Sequence, residues 1–212
     1  MRIETDSWAT ITSIVSAIGL AMGSLTACGG SAANRVADAT PSAIAYHGVS
    51  VYLPLDDNTV MSFETETEGS AERGLLVMQV HRPRAKVVEL NVGGKIRRLD
   101  LTDVGVRIVE SGWLLKQPLE VGATFVGQNG AVRVSSIHRS VDVPAGHFND
   151  CVETIEVGPT VRTLTVFCPH VGIALLEVES MAVNEPERVV ARLKSYGKRV
   201  DLGGDRVRVL SE

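Results

Sequence analysis

The chain has 212 residues, a formal net charge of −4, 44% hydrophobic residues and only 4% aromatics. Once a leader is subtracted, that length supports one ordinary core, so a single domain is expected. Lys and Arg are scattered singly or in pairs such as Arg97-Arg98, leaving no basic stripe for a phosphate backbone, and the few aromatics give no stacking platform, so nucleic acid is not expected as a partner.

The first residues, MRIETDSW, offset Arg2 with Glu4 and Asp6; ATITSIVSAIGLAMGSLTA follows, roughly twenty uncharged and mostly apolar positions. Small residues Thr26 and Ala27 close that run immediately before Cys28 and Gly29-Gly30. Leu25-Thr26-Ala27-Cys28 resembles the lipobox of bacterial lipoproteins, Leu-[Ala/Ser/Thr]-[Gly/Ala]-Cys. The resemblance implies a diacylglycerol thioether on Cys28, cleavage before it, and acylation of the new N-terminus by a chain such as palmitate. Several acyl chains give stable attachment because each buried methylene contributes about 0.8 kcal/mol. An uncleaved membrane span or an ordinary signal peptide is the alternative, since about twenty apolar residues can cross a bilayer. The expected organisation is a lipoprotein signal peptide over residues 1–27, a lipidated cysteine and tether over 28–44, and an antiparallel β domain over 45–212. Residues 29–44, GGSAANRVADATPSAI, are small, polar and without period, as a tether requires. In each case the bulk of the chain lies outside the cytoplasmic membrane.

From Tyr46 onward the sequence is short β-branched runs cut by turn residues, the pattern of an antiparallel β domain. Strands are expected over residues 61–66, 74–80, 86–92, 95–101, 106–110, 124–127, 131–141, 151–157, 161–168 and 173–179. Residues 187–196, ERVVARLKSY, carry some helical period, but Val189 and Val190 are β-branched and the segment is short, which favours a strand. Gly93-Gly94 and Asn129-Gly130 fall between strands and suit the positive φ of tight hairpins; no GK[ST] follows Gly93-Gly94 to make it a phosphate cradle. Pro54-Leu55-Asp56-Asp57-Asn58 and Pro118-Leu119-Glu120-Val121-Gly122 echo each other ahead of Phe63 and Phe125. Asn58 and Gly122 match in position and both tolerate the left-handed conformation, so the pair reads either as an internal repeat or as two ordinary strand beginnings.

Residues 143–172, VPAGHFNDCVETIEVGPTVRTLTVFCPHVG, hold both remaining cysteines. A hairpin turning between Pro159 and Thr160 sets Cys151 opposite Cys168, Ile155 opposite Leu164 and Val152 opposite Phe167. Directly opposed residues lie about 4.5 to 5.5 Å apart at Cα, within reach of a disulfide. Such a bond would contribute about 3 kcal/mol in the chain-entropy model, and an extracytoplasmic compartment permits it. A metal site formed by His147, Cys151, Cys168 and His170 competes with this reading, as do free thiols, although the spacing fits no common zinc finger. A catalytic Cys-His pair is disfavoured, because a strand supplies no helix N-terminus to lower a thiol pKa.

Residues 144–152, PAGHFNDCV, followed by 168–175, CPHVGIAL, resemble a pattern in uncharacterised β-rich bacterial lipoproteins and secreted proteins. Those chains carry PAG-x-[FY]-x-[DN]-C-[VLW], a hairpin, then a strand begun by G-V-G-[LI]-V, and open on a PL-x-x-G-x-x-W-like segment. The resemblance spans much of residues 52–180 and rests on turn and core positions; it implies a curved antiparallel sheet or half-barrel and no activity. His170 stands where that pattern usually has Gly, and Met61 or Phe125 stands near its usual Trp.

His47, His81, His138, His147 and His170 are dispersed, without an HExxH pair. Ser195-Tyr196-Gly197-Lys198 matches S-x-x-K but lacks a helical context and its SDN and KTG partners. Asp56-Asp57 and the alternating Glu64, Glu66 and Glu68 read as solvated surface ahead of calcium ligands. The sequence therefore points to an all-β lipoprotein: a strongly curved antiparallel sheet, half-barrel or sandwich, with no cofactor and no catalytic residue. Its partners would be the membrane through Cys28 and an envelope protein or hydrophobic ligand. An unfilled interior would favour the ligand and a filled one a structural or interaction role. The competing reading is a metal-binding or hydrolytic enzyme using His147 and His170, which requires the two to cluster with a carboxylate.

Overall fold

The computed structural model describes residues 48–71, 73–181 and 187–199. Cys28, the apolar segment before it, the tether and residues 200–212 lie outside the described residues. One helical turn, α1 (Val49–Tyr52), precedes twelve strands. These are β1 (Thr59–Thr67), β2 (Arg73–Arg84), β3 (Val87–Val92), β4 (Lys95–Thr102), β5 (Gly105–Ile108), β6 (Gly112–Lys116), β7 (Thr124–Val126), β8 (Ala131–Val143), β9 (Gly146–Val157), β10 (Val161–Cys168), β11 (Gly172–Ser180) and β12 (Arg188–Lys198). The ten expected strands all form, and residues 187–196 fall almost wholly within β12. Two elements escape the sequence reading: β6, whose GWLLK has Gly and Lys at its ends, and α1, which is too short to show a period.

All twelve strands join one antiparallel sheet in the order β6-β5-β4-β3-β2-β1-β12-β11-β10-β9-β8-β7. The sheet thus consists of two six-stranded meanders joined side by side through β1 and β12, with Thr59 paired to Lys198 and Thr67 to Val189. Its free edges, β6 and β7, are consecutive in sequence and approach each other, so the sheet is nearly closed into a barrel. They touch where Gly112 begins β6: a Cβ there would run into the Gly127 carbonyl oxygen. Bulges interrupt β8 against β9 at three places, and such irregularities bend a strand and tighten its twist. The β8–β9 hairpin consequently reaches across to β12, where the Ala145 N–H donates to the Leu193 carbonyl at 3.0 Å and Phe148 meets Tyr196 edge to face at 6.2 Å.

Alternation along the strands sends Met61, Phe63 and Thr65 of β1 inward, and Glu64 and Glu66 outward. Phe63, Phe167, Leu99, Leu115, Leu193 and Val152 are among the fully buried side chains, so large residues from both meanders fill the interior. Outside, Glu64 pairs with Lys194 at 2.8 Å, and Glu66 with Arg192 at 2.6 Å and Arg73 at 3.3 Å. Lys194 holds the Glu64 carboxyl below its ordinary pKa. This charged face is solvated surface, unlike the apolar outer band of a membrane barrel.

The two PL segments adopt matching turns. Asn58 (φ 62°) and Gly122 (φ 90°) are both left-handed, and their N–H groups donate to Val80 of β2 and Val134 of β8. Thr59 N–H bonds the Asp56 carbonyl, as Ala123 N–H bonds Glu120. Each turn therefore docks a new meander onto its next strand in the same way. Gly93 and Gly94 take the expected positive φ, at 56° and 88°. Gly130 does not; it is required because a Cβ would strike the Val157 carbonyl oxygen.

Candidate functional site

The cysteine hairpin forms in the expected register, with Ile155 opposite Leu164 and Val152 opposite Phe167. One step further, Cys151 and Cys168 are joined by a disulfide across a Cα separation of 4.2 Å, and both are fully buried. Pairing consumes the two thiols that the alternative metal site required. The adjoining turn contains His170 in a left-handed conformation (φ 62°), one that glycine adopts without strain. His170 N–H donates to the Val51 carbonyl at 2.6 Å, tying the β10–β11 turn to α1.

His147 lies near the tip of the β8–β9 hairpin. Its Nδ1 is 2.6 Å from Asp142 Oδ1 and its Nε2 is 3.0 Å from Asn149 Oδ1. With an acceptor facing each nitrogen, the doubly protonated ring is favoured, and the Asp142 hydrogen bond raises the His147 pKa above its ordinary 6.5. Ser140 Oγ donates to the same Asn149 oxygen at 2.7 Å rather than to His147, so serine, histidine and aspartate are close without forming a nucleophile–base pair. A separate pair joins His138 Nδ1 to Asp150 Oδ1 at 3.1 Å. The competing enzyme reading required His147 and His170 to cluster with one carboxylate; the His147 ring bonds Asp142 and Asn149, and no hydrogen bond or ion pair among the described residues links the His170 ring to either. Among the described residues no group of three or more His, Cys, Asp or Glu is arranged to hold a metal ion. Ser195 of the S-x-x-K match lies on β12 with its hydroxyl 2.6 Å from Ser62 Oγ; three residues along a strand, Lys198 projects from the opposite face.

A concave site does form at the end of the sheet where the described chain begins. A cleft of about 630 Å³ opens between α1, the first PL turn, the β2–β3 turn and the β4–β5 turn. Its floor is apolar, with Leu53, Leu55, Leu101 and Val106 almost fully buried. Its rim carries Asp56, Asp57, Arg82, Arg84 and Asp103. Asp57 is engaged: Oδ1 accepts the Arg82 N–H at 2.7 Å, Oδ2 accepts from Asn58 Nδ2 at 3.0 Å, and His81 Nδ1 lies 3.3 Å away. The Arg82 N–H does most to hold the Asp57 carboxyl below its usual pKa. The Arg82 guanidinium is engaged too, since it donates to the Ala85 carbonyl within its own turn. Arg84, Asp56 and Asp103 stand exposed at the rim. Sequence reasoning singled out Asp56-Asp57 but missed the cleft, whose walls come from four separated turns. The described residues include no helix long and apolar enough to cross a membrane.

Neither a known protein family nor a curated protein matches the chain. Two crystal structures share some of its shape. One is of a protein from Bacteroides fragilis NCTC 9343 provisionally classed as exported, with a YmcC-like fold; it is 13% identical, covers 68% of this chain and 97% of its own, and gives a TM-score of 0.42. The other, from Parabacteroides distasonis ATCC 8503, is provisionally classed as a lipoprotein; it is 12% identical, covers 70% of this chain and 99% of its own, and gives a TM-score of 0.40.

Proposed function

We propose that this protein is a bacterial envelope lipoprotein, anchored outside the cytoplasmic membrane by diacylglycerol on Cys28, whose β domain acts by binding rather than by catalysis. The observation that carries the reading is the fully buried Cys151–Cys168 disulfide, a bond suited to an oxidising compartment, in a chain with Leu25-Thr26-Ala27-Cys28 upstream. Three cysteines then divide into one lipid attachment and one staple. The filled interior favours a structural or interaction role for the barrel body, leaving the cleft as the place for a ligand with apolar character.

The reading is tested by growing a bacterial host that expresses the full chain with an alkyne analogue of palmitate. The wild type is expected to take up label and to fractionate with membranes, and Cys28→Ser to lose the label. An unlabelled wild type, or a Cys28→Ser chain labelled as strongly, would overturn the lipoprotein assignment.

A further inference from the structure

From the cleft we infer a binding site for a single-chain zwitterionic phospholipid; the inference builds on the lipoprotein reading and names the ligand class. The floor formed by Leu53, Leu55, Leu101 and Val106 offers hydrocarbon, and about 630 Å³ lies within the roughly 300–1,000 Å³ of small-molecule sites. At the rim, Asp57 and the Arg82 guanidinium are satisfied within the protein. Arg84, the last residue of β2, and Asp103, in the β4–β5 turn, remain solvent-exposed and line the opening, as does exposed Asp56. A rim that offers both signs of charge above an apolar floor complements a head group with a phosphate and an ammonium on one alkyl chain. A purely anionic head would meet the aspartates, and a purely cationic one would meet Arg84.

The test is native mass spectrometry of the full mature chain purified from membranes, incubated with an equimolar mixture of oleoyl lysophosphatidylethanolamine and monoolein. The expected result is one bound lysophospholipid per chain, preferred over the neutral monoolein by roughly tenfold. Arg84→Glu and Asp103→Lys, both at exposed positions, should each erase that preference without moving the melting temperature. Absence of an adduct, equal retention of monoolein, or a preference that survives in both variants would overturn the proposal. The same spectra report the mass at Cys28. An acylated chain that takes no lysophospholipid refutes the ligand alone; an unacylated chain that takes it refutes the anchor alone.

Discussion

Opening the Cys151–Cys168 bond should lower the melting temperature of the β domain by about 6–12 °C. The bond closes a loop with a sequence separation of 17, for which the chain-entropy model gives about 3 kcal/mol at 25 °C. In a domain of this size each kcal/mol moves the melting point by about 2–4 °C. Both side chains are fully buried, so replacing both with alanine also leaves space where two sulfurs packed, and the double variant should fall at or beyond the upper end of the range. Reduced wild type separates the two effects, because it retains its sulfur atoms. Thermal unfolding followed by circular dichroism on oxidised wild type, wild type refolded under reductant, and the double variant gives all three values. If reduced and oxidised wild type melt within about 2 °C of each other, the loop-closure reasoning is wrong for this hairpin.

Glu156 turns its carboxylate into the β7–β8 turn, where Oε1 accepts the N–H groups of Asn129 and Gly130. Glu156→Ala leaves both donors unmet and should cost roughly 1–3 kcal/mol, with faster hydrogen exchange at those two amides; unchanged exchange would refute the role. For His147, an NMR titration should give a midpoint above the ordinary 6.5, and Asp142→Asn should bring it down. Because the folded-state pKa is raised, this pair stabilises the protein below the unfolded value and loses that contribution as pH rises through the folded one. Wild-type melting temperature should therefore decline relative to Asp142→Asn as pH passes through that window; parallel profiles would show that the pair is not coupled to folding.

The register of the β9–β10 hairpin was legible in the sequence because a short turn and a period of two leave few ways to pair Val152 with Phe167. The likeness of the two PL turns was legible for a similar reason, as Asn58 and Gly122 are residue types that accept positive φ. Gly130 shows the limit of such reasoning: glycine signals freedom, but here it answers a carbonyl from a strand 27 residues away in sequence, which local pattern does not reveal. The cleft was invisible for the same reason, since Leu55 and Leu101 are ordinary buried leucines until the sheet curls their turns together. His147 and His170 are near in sequence to the same two cysteines, yet the β8–β9 hairpin carries one to Asp142 and the β10–β11 turn ties the other to α1.

The order of strands also determines where this domain could be cut. Its first and last strands are neighbours, with Thr59 beside Lys198 and Arg199 N–H bonded to the Asn58 carbonyl, whereas the stretch linking β6 to β7 crosses no ladder. A circular permutant that joins the ends of β1 and β12 and opens between Lys116 and Thr124 would keep every strand pairing. In evolutionary terms, a sheet whose first and last strands lie side by side can be spliced into a host protein as a bud on a single stem.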